Sequence, residues 1–189
     1  VSSFSFLAIL PSMTREDAAT IFERIAVLLE MQGENPFKVR AYRTGAELVE
    51  SFSGDIMALA AENRLAGIKG LGEALRDKLH EMATTGRLEF YEELKAQFPD
   101  TIFELFEVQG LGPKKIAALH AGLGVSSIAD LKLACEAGTV AKLSGFGAKV
   151  VQKILDSITF REQHASEFRL DQVHALVLDI LEALRQHPN

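Results

Sequence analysis

Gly110-Leu111-Gly112-Pro113-Lys114-Lys115 sets two residues without side chains around one apolar residue, then a proline and two lysines. The chemistry this pattern suits is capture of an anion by the main chain. Glycine adopts turn conformations that a Cβ would strain, and its bare backbone lets a phosphodiester approach closely. Pro113 fits the first helical position, where a missing N–H is no loss. The unpaired N–H groups of that first turn carry the positive end of the helix dipole. Lys114 and Lys115 add two charges at the same place. Taken alone, the segment reads equally well as an ordinary turn between two helices.

The pattern recurs, which weakens the plain-turn reading. Ile68-Lys69-Gly70-Leu71-Gly72 leads into the helical spacing Ala74, Leu75, Lys78, Leu79, and Leu143-Ser144-Gly145-Phe146-Gly147 leads into Val150, Val151, Ile154, Leu155. The closing glycines Gly72, Gly112 and Gly147 repeat at intervals of about 35 to 40 residues, the mark of a repeated supersecondary unit. Three helix-hairpin-helix units in one register are expected, each presenting main-chain N–H groups to phosphate. A dinucleotide-binding loop would need a preceding strand, and no run alternates like one. A further basic segment, Asn35-Pro36-Phe37-Lys38-Val39-Arg40-Ala41-Tyr42-Arg43, puts Lys38 and Tyr42 four apart on one helix face. That face reads either as a phosphate pocket or as a solvated basic surface.

The charge distribution agrees with these positions. The net charge of −6 hides an uneven division: residues 1–107 carry 11 basic and 18 acidic groups, whereas 108–153 carry six lysines against Asp130 and Glu136. Positive charge collects where the second and third hairpins lie, and local balance governs phosphate binding. Cys135 is the only cysteine, which excludes an internal disulfide or a cysteine-rich zinc site and fits a reducing, cytoplasmic compartment. The five histidines show no metal-ligand spacing. The apolar run Phe6–Leu10 is too short for a signal-peptide core or a membrane span.

These residues need helices to position them, and helices are what the periodicity predicts. Residues 1–13 read as an extension, with Met13 a candidate start and no function assigned to what precedes it. Thr14 and Asp17 form a capping-box-like start for a helix with Ala18, Ile21, Phe22, Ile25, Leu28 and Leu29 on one face, stopped at Gly33. Asn35-Pro36 caps the next helix. A short helix is expected near Asp55–Glu62, the first hairpin's second helix to about Thr84, and another over Leu88–Phe98. Pro99-Asp100 is the expected domain boundary, giving domains at 14–99 and 100–189. In the second domain, Thr101–Glu107 is expected to lead the central hairpin, Gly122 and Gly124 to end its second helix, and Ser127 with Asp130 to cap the next. The third hairpin's helix should run to about His164, and Asp171–Gln186 carries one further apolar stripe. The fold class is all-α, two small helical domains.

The order of these elements resembles the N-terminal half of the family X, polymerase beta-like DNA polymerases, most closely the bacterial members. The residues that carry it are Gly33–Arg43, Gly70-Leu-Gly72, Gly110-Leu-Gly-Pro-Lys-Lys115 and Leu143-Ser-Gly-Phe-Gly147. The resemblance implies an 8-kDa-type domain that holds the 5′-phosphate side of a DNA gap and a fingers/thumb-like domain that grips duplex. DNA-contacting positions are then Lys38, Tyr42, Arg43, Lys69, Gly70, Gly72, Gly110, Gly112, Lys114, Lys115, Gly145, Gly147 and Lys149. It also implies K⁺ or Na⁺ at the hairpins, held by the main-chain carbonyls of Ile68, Leu71, Val108 and Leu111. The family's palm, with a Gly-Ser motif and three metal-binding aspartates, has no counterpart in these residues. No Mg²⁺ site and no polymerase activity are therefore expected of this chain alone.

Lys78 matches the lysine that forms a Schiff base with an abasic sugar in lyase-active members, which implies a possible 5′-deoxyribose-phosphate lyase. Lys38, Lys69 and Arg76 could supply the cationic field that such an amine needs. Three departures weigh against it: Phe37 stands where those relatives carry a histidine, and Ala74 and Phe90 stand where they carry lysines. Arg76 replaces a small residue at the hairpin crossing, which suggests a looser first hairpin. Gapped, nicked or duplex DNA is the expected partner of a monomer, with a downstream palm or repair proteins besides and no membrane. The competing reading is a helical protein-interaction adaptor.

Overall fold

The computed structural model describes residues 13–164, so the stripe expected over Asp171–Gln186 and the segment before Met13 lie outside the described residues. Contacts divide the chain into two units, Val1–Asp100 and Thr101–Asn189. Among the described residues there is no strand, and no single helix is long and apolar enough to cross a membrane.

The first unit contains α1 (Arg15–Met31), α2 (Pro36–Ser51), α3 (Ile56–Ala61), α4 (Glu73–Thr85) and α5 (Glu89–Lys95). α1 opens in a full capping box: Thr14 Oγ1 accepts the Asp17 N–H at 3.1 Å, and Asp17 Oδ2 accepts the Thr14 N–H at 3.0 Å. Asn35 caps α2 by accepting the Phe37 N–H at 2.9 Å, with Pro36 at the first helical position. α1 packs on α2, α3 on α4, and α5 on α1.

Gly45, inside α2, permits a close approach. A Cβ there would stand 2.8 Å from Leu75 Cδ1 of α4 and 3.4 Å from the Phe22 ring of α1. Three helices meet at that notch. The His80 ring is then fixed by a 2.7 Å hydrogen bond between Nδ1 and the Ala60 carbonyl, tying α4 to α3.

The second unit takes up a 3-10 helix (Asp100–Glu107), α6 (Pro113–Leu123), α7 (Ile128–Glu136), a 3-10 turn (Val140–Lys142) and α8, which occupies 148–164 of the described residues. The lead element of the central hairpin is thus not an α-helix. Its buried residues Ile102 and Leu105, followed by Val108, repeat every third residue. That is the period of a 3-10 helix, whose side chains at i and i+3 eclipse. α7 starts as expected, with Ser127 Oγ accepting the Asp130 N–H at 3.1 Å and Asp130 Oδ2 accepting the Ser127 N–H at 3.1 Å. α6 ends at Gly124, in a left-handed conformation at φ +68°. α5 is shorter than the expected Leu88–Phe98, because Leu88 is its extended N-cap and the helix ends at Lys95.

Candidate nucleic-acid interface

The three glycine-bracketed bends share one geometry. The central apolar residue returns its N–H to the carbonyl three residues back: Leu71 to Ile68, Leu111 to Val108 and Phe146 to Leu143, each at 3.2 Å. Its preceding glycine sits at positive φ, +93° at Gly70, +87° at Gly110 and +85° at Gly145. A turn of this kind reserves that position for glycine.

The second glycine of each pair is different, and it corrects the expectation that both are needed for the turn. Gly72 and Gly112 are extended N-caps of α4 and α6, at φ −66° and −132°, a conformation open to any residue. A Cβ at Gly72, Gly112 or Gly147 would meet nothing within 4 Å. The protein itself makes no use of the missing side chain there. Beside this open space, the N–H groups of Gly110, Gly112 and Lys114 face no protein acceptor among the described residues. The same holds for Gly70, Gly72, Glu73 and Ala74 at the first bend, and for Gly145, Gly147, Ala148 and Lys149 at the third. Clustered, outward N–H groups at a helix start are what an anion requires.

Within the second unit, the two bends are bound together. The Gln109 N–H donates to Ser157 Oγ of α8 at 3.0 Å, and Arg161 of α8 pairs with Glu107. Lys115 Nζ donates to the Gly110 carbonyl at 2.8 Å and stands 5.9 Å from the centroid of the buried Phe146 ring. Lys114 and Lys149 are exposed, with no carboxylate partner among the described residues. Sequence reading gave the two neighbouring lysines one role; the structure separates them, Lys115 onto the bend and Lys114 into solvent.

In the first unit, Lys38, Tyr42 and Lys78 converge on one side chain, Phe90 of α5. Tyr42 stacks on the Phe90 ring at 6.1 Å and 13° between planes, and makes a T-shaped contact with Phe22 at 5.7 Å. Lys78 Nζ lies 4.9 Å from the Phe90 centroid and Lys38 Nζ 5.8 Å, both inside cation–π range. Lys38 also pairs with Glu34 at 2.9 Å. The N–H of Asn35, and then Lys38, hold the Glu34 carboxyl below its usual range. Tyr42 is 5% exposed, and burial pushes its phenol up to about 12. Its hydroxyl has no protein partner among the described residues and is not fully sealed from solvent.

Other expected positions lie elsewhere. Arg43 is turned onto α1, bonded to Glu30 at 2.6 Å and near Glu23 at 3.6 Å. Lys69 is exposed at the first bend, and Arg76 is partly buried on α4. Phe90 is the residue that sequence reading missed as a contributor. It registered only as an absent lysine, and no local spacing links position 90 to 38, 42 and 78. Phe37, beside Lys38, is 79% exposed.

A helix-hairpin-helix domain model matches residues 13–88, and a SAM-like helix-hairpin-helix tandem model matches 102–159. The chain is 33% identical over 174 residues to the DNA polymerase/3′-5′ exonuclease PolX of Bacillus subtilis (strain 168). The chain belongs to the family X DNA polymerases. The aligned stretch covers 92% of this chain and 30% of the length of that relative.

As a family X chain, it carries helix-hairpin-helix units that support DNA binding. Among the described residues, no three His, Cys, Asp or Glu side chains gather as a side-chain metal site would need. A monovalent cation at the family X hairpins would have to use main-chain oxygens, which are suitable hard donors. The first bend fits one, because the Ile68 carbonyl accepts a single turn bond and keeps a second lone pair. The second bend fits one poorly, because Lys115 already places an ammonium on the Gly110 carbonyl.

Proposed function

We propose that this chain is the structure-selective DNA-holding region of a family X repair polymerase, recognising gapped or nicked DNA without reading its sequence. The observation that carries the reading is the second glycine of each bend: the fold leaves its space open and the flanking N–H groups unpaired. Gly110–Lys115 and Gly145–Lys149 hold the backbone of duplex flanks. Gly70–Gly72, Lys38, Tyr42 and Lys78 face the gap's 5′-phosphate, the lysines as point charges and the tyrosine as a neutral hydroxyl donor. Such contacts position a protein on DNA but carry no base information.

Binding to a 5′-phosphorylated gap, the same gap without phosphate, a nick and intact duplex, measured by fluorescence anisotropy, tests this. The phosphorylated gap should bind about tenfold more tightly than duplex, or about 1.4 kcal/mol. Equal affinity for all four would remove the gap assignment. An adaptor would bind none of them, and a Gly112→Val, Lys114→Glu double variant would then change nothing.

A second reading is favoured by Lys38 and Lys78 lying over the same Phe90 ring, which sets a second cation near the amine: Lys78 acts as the nucleophile of a 5′-deoxyribose-phosphate lyase. Its neutral amine would add to the C1′ aldehyde of the abasic sugar and lose water to give an imine. Borohydride should then trap a covalent adduct on a 5′-incised abasic site, and Lys78→Ala should abolish it. An adduct that survives Lys78→Ala excludes Lys78 as the nucleophile.

K⁺ or Na⁺ would be held at the first bend by the Ile68 and Leu71 carbonyls, adding positive charge where a phosphate approaches.

A further inference from the structure

The three bends are alike in backbone and unlike in what stands three residues beyond the closing glycine. After Gly72 this is Leu75, buried; after Gly147 it is Val150; after Gly112 it is Lys115. Of the three, only Lys115 can bring a charge back to its own bend, and its Nζ lies 2.8 Å from the Gly110 carbonyl. Among the described residues it has no carboxylate partner. Its other neighbour is the Phe146 ring of the third bend, 5.9 Å away. An ammonium held between a carbonyl oxygen and an aromatic face satisfies both the dipole and the ring quadrupole with one charge.

We infer that Lys115 is a built-in cation of the second bend, doing there what a bound K⁺ or Na⁺ would do at the first. A cation on the Gly110 carbonyl polarises the Gly110–Leu111 peptide unit, whose N–H closes the turn onto the Val108 carbonyl, and so firms the bend that presents the free N–H groups. It also offsets the charge of the arriving anion. A metal ion supplies this only when bound; Lys115 supplies it permanently. Two positive charges on neighbouring carbonyls of one four-residue turn would repel each other, so the ammonium also disfavours an ion at Val108 and Leu111. The grip of the second bend is then indifferent to which monovalent salt is present. The inference rests on the reading that these bends hold phosphates, but its first test does not involve DNA.

In the full chain, amide resonances of 108–112 are followed as KCl replaces tetramethylammonium chloride at constant ionic strength. They should stay still in the unmodified protein and move saturably in Lys115→Met, where the competing ammonium is gone from the Gly110 carbonyl; Lys115→Arg should behave like the unmodified protein. Saturable shifts in the unmodified protein, or none in a folded Lys115→Met, would overturn the inference. Duplex affinity supplies the second arm. In tetramethylammonium, Lys115→Met should bind about fivefold to tenfold more weakly, and K⁺ should restore most of the loss. A loss that K⁺ does not restore, with a salt slope reduced by about one, would mean that Lys115 contacts phosphate directly and is no substitute ion. If no variant binds DNA while the resonances behave as expected, the phosphate reading fails and the built-in cation stands.

Discussion

Gly110 and Gly112 are separated only by Leu111, and replacing each by alanine should give opposite results. At Gly110, φ is +87°, where a Cβ costs about 1–2 kcal/mol. Gly110→Ala should therefore lower thermal stability measurably. Gly112 is extended and has open space in front of it, so Gly112→Ala should leave the melting temperature nearly unchanged. It should nevertheless weaken DNA binding by about tenfold, about 1.4 kcal/mol, because the new methyl occupies the approach of the phosphate. Tyr42 offers a second separation. Its phenol titrates near 12 when folded against an ordinary value near 10, so the unfolded chain gives up this proton first as pH rises. Stability from this group is complete below about pH 10 and is lost as pH climbs through about 12. Urea unfolding across that window should show a steeper alkaline loss in the unmodified protein than in Tyr42→Phe. At neutral pH the same variant should keep its stability, since the hydroxyl has no protein partner, and lose part of any preference for a 5′-phosphate.

The helices show what local sequence can and cannot announce. Thr14 with Asp17 and Ser127 with Asp130 were legible because a capping box is chemistry between residues three apart. Ser127→Ala should cost about 1 kcal/mol in chemical denaturation. Acid should act on the same cap: the Ser126 N–H, then the Ser127 and Ser126 hydroxyls, keep the Asp130 carboxyl below its usual range. Its contribution is present at neutral pH and fades as pH falls through that lowered value. The three bends were legible for the same reason, glycine spacing being a local signal. The lead element before the central hairpin was not, since apolar residues at 102, 105 and 108 suit both an α-helix and the 3-10 helix that forms. Least legible was the Phe90 cluster, assembled from α2, α4 and α5 by packing alone. Phe90→Leu should keep much of the apolar burial but release both lysines and the stacked tyrosine. In gel-shift titrations it should weaken binding to a 5′-phosphorylated gap more than binding to duplex.

Across the chain, an overall charge of −6 coexists with a lysine-rich stretch at 108–153. Affinity for DNA should therefore fall steeply with salt, and Lys114→Ala should flatten that dependence by about one ion while weakening all sequences alike. Gly45 illustrates how the packing beneath a candidate site can depend on a residue outside it. It is buried, and the missing methyl leaves room for Leu75 of α4, the helix bearing Lys78, against α2, the helix bearing Lys38 and Tyr42. It works as a spacer of zero thickness: one added carbon would have to displace the buried tip of Leu75 between the two lysine-bearing helices, and if Lys38 and Lys78 share one phosphate as proposed, Gly45→Ala should loosen that shared grip.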